Sequence, residues 1–160
     1  MPFLHSPTTL LGISWIEDKH MRVRIVTLIF LTMAISAFAG AADFKVIVNS
    51  SNGSAKISKT DLNALFLKKM VKWGDGTPAA PVNQSKKSAV RDSFTTAVHG
   101  KSVAAVDSYW QQQIFSGRDV PPAEKASDAE VVAFVKANAG AVGYVSDGTA
   151  TAGVKVVSVE

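Results

Sequence analysis

The sequence predicts an α/β fold, a small mixed sheet with helices packed on it. Three observations carry that prediction. Runs rich in β-branched residues open and close the region after residue 42, at 44–48, 141–145 and 154–159. Between them stand Ser58, Ser88, Ser102 and Ser127, each followed by apolar residues three and four positions apart. Gly, Pro, Asn and Asp punctuate the segments and give the order β-α-β-α-α-α-β-β.

The first strand is Phe44-Lys45-Val46-Ile47-Val48, ended by the turn residues Asn49-Ser50-Ser51-Asn52-Gly53. Ser58 opens a helix through a capping box closed by Asp61, a shorter stand-in for Glu, and Leu62, Leu65 and Phe66 form its apolar stripe. It should finish near Lys68 and Lys69, where positive charge suits the carbonyl end of a helix. The stretches 73–81 and 117–126, rich in Gly, Pro or charge, read as linkers, with room at 80–83 for a short strand. A second helix begins near Ser85 or Ser88, turns Val90, Phe94 and Val98 inward and ends at Gly100. Ser102 caps a third, with Val103, Val106, Trp110 and Ile114 expected to face the core. Ser127-Asp128-Ala129-Glu130 is a full capping box ahead of Val131, Phe134 and Val135, and Asn138-Ala139-Gly140 stops that helix. Strands at 141–145 and 154–159 complete the order.

Upstream, Arg22 and Arg24 precede an apolar run from Ile25 to Ala39, followed by the small residues Gly40-Ala41-Ala42. Those are the three parts of a secretory signal peptide. A membrane span needs about 20 apolar residues and this run has roughly 15, so cleavage after Ala39 or Ala42 is expected, with an uncleaved anchor as the alternative. Residues 1–20 place Glu17, Asp18, Lys19 and His20 ahead of the positive flank and match no targeting pattern. Met21 is then the expected start, and a genuine short extension the alternative. The resulting organisation is an extension over 1–20, a signal peptide over 21–42 and one α/β domain over 43–160, delivered to the periplasm or secreted.

Residues 43–160 carry 14 Lys and Arg against 11 Asp and Glu, an excess too small to argue for nucleic acid. The absence of cysteine excludes disulfides, a thiol nucleophile and thiolate metal sites. His99, the only histidine beyond residue 42, adjoins Gly100 at a helix end, where a dipole-stabilised surface place is expected. Asp92 is expected to face solvent, no Ser-His-acid set assembles, and the acids show no ligand spacing. A non-enzymatic protein without metal or cofactor is therefore expected. Trp73, Tyr109 and Trp110 are expected in the core, with stacking on a sugar or peptide as the alternative.

The candidate ligand site is Gln84-Ser85-Lys86-Lys87-Ser88, just before a helix start. Free backbone N–H groups and the positive end of the helix dipole favour an anion there, and two hydroxyls and two ammonium groups add donors. An ordinary capped helix with solvated lysines is the competing reading. Lys68, Lys69 and Lys72 would extend a basic rim if the end of the first helix faces that loop.

Several stretches, in order, cover nearly all of 43–160: Ile57-Ser58-Lys59-Thr60-Asp61-Leu62 leading to Leu65-Phe66-Leu67-Lys68-Lys69 and Trp73, the Ser88 helix with Phe94, residues 127–135, and Gly140-Ala141-Val142-Gly143-Tyr144-Val145. Together they resemble the phosphate-binding proteins of ABC phosphate transporters and their shorter relatives with the same type II periplasmic-binding domain. The last stretch resembles that family's P-G-A-I-G-Y-V signature. The resemblance implies an α/β domain and a cleft where backbone N–H groups, hydroxyls and an Arg hold phosphate between two lobes. The length here matches one lobe. The family's loop resembles R-x-D-G-S-G-T. In this chain Ser88 matches its serine, Gln84 stands for Arg, Lys86 for Asp, Lys87 and Ala89 for the glycines, and Val90 for Thr. Loss of the glycines and of a hydroxyl donor predicts a site that relies on point charge and discriminates poorly among phosphate, sulfate and carboxylates.

The expected function is an extracytoplasmic binding protein for phosphate or a related oxyanion. The expected partners are a membrane transporter or envelope protein and a second copy in a homodimer. The alternative is a ligand-free interaction module that exposes an apolar patch including Trp73 or Tyr109.

Overall fold

The computed structural model describes residues 43–160, so the extension expected over 1–20 and the signal peptide expected over 21–42 lie outside the described residues. Among the described residues, no helix is long and apolar enough to cross a membrane. Six strands are seen there: β1 (Phe44–Asn49), β2 (Lys56–Ile57), β3 (Ala80–Gln84), β4 (Ala123–Lys125), β5 (Ala141–Ser146) and β6 (Val154–Val159). They form one sheet in the order β2-β6-β1-β5-β3-β4. The helices are α1 (Lys59–Phe66), α2 (Ala89–Phe94), α3 (Val103–Phe115) and α4 (Asp128–Ala137), and α2 runs on as a π-helical turn over Thr95–His99. The α/β class and every strand and helix expected from the sequence are present.

β1 runs antiparallel to both of its neighbours, β5 and β6, whereas β2 lies parallel to β6, and β3 parallel to both β5 and β4. Every other strand therefore finishes at the edge of the sheet where β1 begins. α1, α2 and α4 follow β2, β3 and β4, so these three helices all start at that edge, the head of the sheet.

β1 reads as a continuous apolar run because both of its faces are covered. Val46 and Val48 join Leu62, Leu65 and Phe66 of α1 and Phe94 of α2, while Ile47 joins Val131 and Val135 of α4. β5 alternates in the same way, with Val142 and Tyr144 on the first face and Ala141 and Val145 on the second. Gly143 lets α4 lie close, since a Cβ there would come within 2.7 Å of Val131 Cγ1 and 2.9 Å of Val82 Cγ1. Gly140 is tighter still, with the Pro78 carbonyl oxygen 1.9 Å from where its Cβ would stand. Trp73 is buried nearby and its Nε1–H donates to the Gly140 carbonyl at 2.9 Å, which places it in the core and removes it from any exposed patch. Asn49 closes α4 by donating from Nδ2 to the carbonyls of Val135 and Lys136.

Three expectations are corrected. The stretch 117–126 is not all linker, because Ala123, Glu124 and Lys125 pair with Val82, Asn83 and Gln84 as β4. Like the two-residue β2, it is too short and polar to show a period in the sequence. Ile114 does not face the core. Val106 and Trp110 are buried, but α3 then runs past the packed region, leaving Ile114 49% and Phe115 89% exposed.

His99 is the third. The ring of Phe94 stacks on Tyr144 with centroids 3.8 Å apart, and His99 meets Phe94 edge-on at 5.7 Å. Its Nδ1 lies 2.6 Å from Asn63 Oδ1, with the ring half-buried. Burial, and then the charges of Arg91 and Lys101, pull its pKa from 6.5 down to about 4. The helix end alone would favour the imidazolium, yet desolvation and like charge outweigh it, so His99 is a neutral internal group.

Two outcomes follow in denaturant unfolding. Gly143→Ala should cost about 1–3 kcal/mol by overpacking against Val131 and Val82, whereas Gly148→Ala, with open space at its Cβ, should change little. His99 is protonated near pH 6.5 in the unfolded chain but only near 4 in the fold. Its contribution is therefore complete above that range and declines as the pH falls from 6.5 to 4. His99→Gln should flatten that part of the stability curve relative to wild type.

Candidate functional site

At the head of the sheet β3 ends in Gln84, which is only 3% exposed. Its backbone N–H donates to Tyr144 Oη at 3.2 Å, and its carbonyl accepts from Arg91 Nη1 at 3.0 Å. Its Nε2 donates to the Tyr144 carbonyl at 3.2 Å and to Asp128 Oδ1, while Oε1 accepts from Ser88 Oγ at 2.8 Å. The amide thus joins β3 and β5 to the starts of α2 and α4.

Ser88 occupies the N-cap position of α2 with extended backbone, but its hydroxyl is spent on Gln84 and makes no cap bond. Ser58, Ser102 and Ser127 behave as expected, accepting from the N–H groups of Asp61, Ala105 and Glu130. The first-turn N–H groups of α2 at Ala89, Val90 and Arg91 have no acceptor among the described residues, the first two as at any helix start and that of Arg91 because its serine cap is missing. Ser85 is half-buried, its N–H donating to the Lys125 carbonyl at 2.9 Å. Lys86 reaches away to Asp107 Oδ2 on α3 at 2.9 Å. Lys87 is exposed and has no acidic partner among the described residues.

The five candidate residues are therefore adjacent but unequal. Gln84 is an internal fastener, Lys86 is paired, and Ser85, Lys87 and the backbone after Ser88 are what an incoming group would meet. The basic rim does not form: α1 starts at the head of the sheet, so Lys68, Lys69 and Lys72 follow its other end, and Lys68 pairs with Asp119 at 3.1 Å.

Two residues that the sequence did not single out complete the arrangement. Arg91 is 3% exposed, and no carboxylate pairs with it among the described residues. Its signal was an arginine in a stripe otherwise made of Val90, Phe94, Thr95 and Val98, all buried. Asp128, read only as part of a capping box, accepts from the Ser146 N–H at 3.2 Å, from Thr149 Oγ1 at 2.5 Å and from the Gln84 amide. Burial pushes its carboxyl up, but the hydrogen bonds from Thr149, Ser146 and Gln84 outweigh that and hold it below the ordinary carboxylate value. Tyr144 is shifted the other way, because burial raises its phenol against the opposing charge of Arg91. The phenol stays neutral and donates to Asn83 Oδ1 at 3.2 Å.

Residues 36–158 match the family model described as a PBP superfamily domain. Solved structures share the fold. A phosphate ABC transporter substrate-binding protein with bound phosphate, from Clostridium perfringens, superposes with a TM-score of 0.59 at 18% identity over 72% of this chain and 44% of its own. An ABC-type phosphate transport receptor from Vibrio cholerae gives 0.58 at 18% identity over 72% and 45%. PstS from Borrelia burgdorferi gives 0.58 at 14% identity over 73% and 47%. The chain spans less than half the length of these structures. No match was found among curated proteins.

Asp128→Asn should lower stability at neutral pH by about 1–3 kcal/mol, since a charged acceptor of three donors is replaced by a neutral amide. With its folded pKa depressed, the contribution of Asp128 is present above the unfolded value of 3.8 and is lost as the pH falls through the lower folded value. Unfolding curves of wild type and variant should converge in acid.

Proposed function

For a chain that belongs to the PBP superfamily domain family, we propose the role of an extracytoplasmic solute-binding protein for phosphate or a related oxyanion, working with an ABC transporter. The observation that carries this reading is the start of α2, where three first-turn N–H groups lack an acceptor among the described residues, that of Arg91 because Ser88 has turned its hydroxyl to Gln84 instead of capping it. Buried Arg91 beneath and exposed Lys87 beside them add positive charge. Backbone N–H groups at a helix start bind anions through direct donation and the helix dipole together. The bound phosphate named for the Clostridium perfringens protein supports the choice of ligand. The apolar run and small residues before Asp43 support export.

A second reading, a ligand-free interaction module in the cell envelope, is favoured by one observation. Asp128 already supplies an internal carboxylate to Gln84, Ser146 and Thr149, so part of the donor set at the head of the sheet is satisfied without any ligand.

Isothermal titration of the purified chain with phosphate, sulfate and arsenate at low ionic strength separates the two. Saturable heat that falls by about tenfold or more in affinity in a Ser85→Ala, Lys87→Ala variant of unchanged circular dichroism is the outcome expected for oxyanion binding. Absence of heat and of thermal stabilisation with all three ions would overturn that reading in favour of the interaction module.

A further inference from the structure

A second cluster of cations lies away from the head of the sheet. α2 and its π-helical extension run from Ala89 to His99, so the far end is about 15 Å along the axis from the Ser88 loop. There the end of α1, the π-helical turn and α3 enclose a cavity of about 160 Å³ lined by Asn63, Lys69, His99, Lys101, Val106 and Tyr109, together with Leu67. That volume is close to the roughly 150 Å³ that suffices for a benzene-sized molecule in an engineered protein cavity.

The lining divides by chemistry. Val106, Leu67 and the Tyr109 ring form an apolar side, and the Tyr109 hydroxyl is turned out of play by donating to the Leu67 carbonyl at 3.3 Å. Lys69 and Lys101 supply two ammonium groups, and neither has an acidic partner among the described residues. No carboxylate lines the cavity. The groups around the His99 ring are Asn63 and Phe66 of α1, Arg91 and Phe94 of α2, Lys101 of the following loop, and Lys69 and Tyr109 across the cavity. Its charged neighbours are therefore all cations. Uncompensated positive charge beside an apolar wall is complementary to an anion with an apolar body.

We propose that this cavity binds a small organic monocarboxylate, its carboxylate held by Lys69 and Lys101 and its apolar body set against Val106 and the Tyr109 ring. The inference stands apart from the reading of the Ser88 loop and uses none of its residues. Occupancy is coupled to His99. Donation of Nδ1–H to Asn63 Oδ1 leaves Nε2 as the basic nitrogen. The empty site keeps the ring neutral, since burial and two neighbouring cations oppose its proton. A bound carboxylate offsets those cations and draws a proton onto the ring, so binding to the protein tightens as the pH falls from about 6 toward the empty-site value of about 4.

The test is a benzoate titration of the full chain followed by histidine ring resonances in NMR, with His99→Gln assigning the signal. The proposal expects the His99 titration to move up by about one pH unit at saturating benzoate, a shift typical of a new opposite charge within a few ångströms. It also expects about tenfold weaker binding in a Lys69→Ala, Lys101→Ala variant and weaker binding of acetate than of benzoate. Phosphate heat should be unchanged in that variant, which keeps this result separate from the fate of the Ser88 loop. A His99 titration unmoved by benzoate, or a lysine double variant that binds benzoate as wild type does, would overturn the proposal.

Discussion

The Gln84 amide lies between two helix starts and out of reach of water, so each of its polar atoms must find a partner within the chain. It does so with Ser88, Asp128 and Tyr144, while its own carbonyl takes the guanidinium of buried Arg91. Leaving one such group unmatched costs about 1–3 kcal/mol, which makes the set close to all-or-none. The position of α2 relative to β5, the orientation of Asp128 and the uncapped first turn of α2 all depend on it. Gln84 itself points inward, so its amide serves the fold and not an incoming group.

The same economy governs the layers. Gly143 removes the one side chain that would hold α4 away from the sheet, and Ile47, Val82 and Val145 then fill the narrow space beneath that helix. On the other face the volume is supplied by rings, with Phe66, Phe94 and Tyr144 in mutual contact. The thick aromatic layer belongs to the face that α1 and α2 cover, and it is on that side that the cavity beside α3 lies.

Elements whose cause is local were legible in the sequence. β-branched runs gave strands, and serines followed by spaced apolar residues marked helix starts, since both patterns act within a few residues. What escaped depends on residues far apart. Asp128 lies 44 positions from Gln84 and 21 from Thr149, so its role as a shared acceptor has no sequence signature. β4 exists only because β3 offers it an edge, and Ile114 is exposed because the core ends before the helix does. Arg91 was readable in principle, as an ionic residue on a helix face that otherwise goes inward. For His99 the local rule about helix ends pointed the wrong way, since burial against Phe66 and Phe94 outweighs the dipole.

The central place of β1 in the sheet has a kinetic consequence. β1 is made early, yet both strands that flank it come about a hundred residues later, as the Lys45 bond to the Asp147 carbonyl, 102 positions away, illustrates. Contacts of such long range must overcome chain entropy before they stabilise anything, and topologies dominated by them close slowly. Until β5 and β6 arrive, Val46, Ile47 and Val48 have no sheet to join. The architecture therefore delays sheet formation until the far strands have been synthesised, and leaves a sticky apolar segment waiting meanwhile.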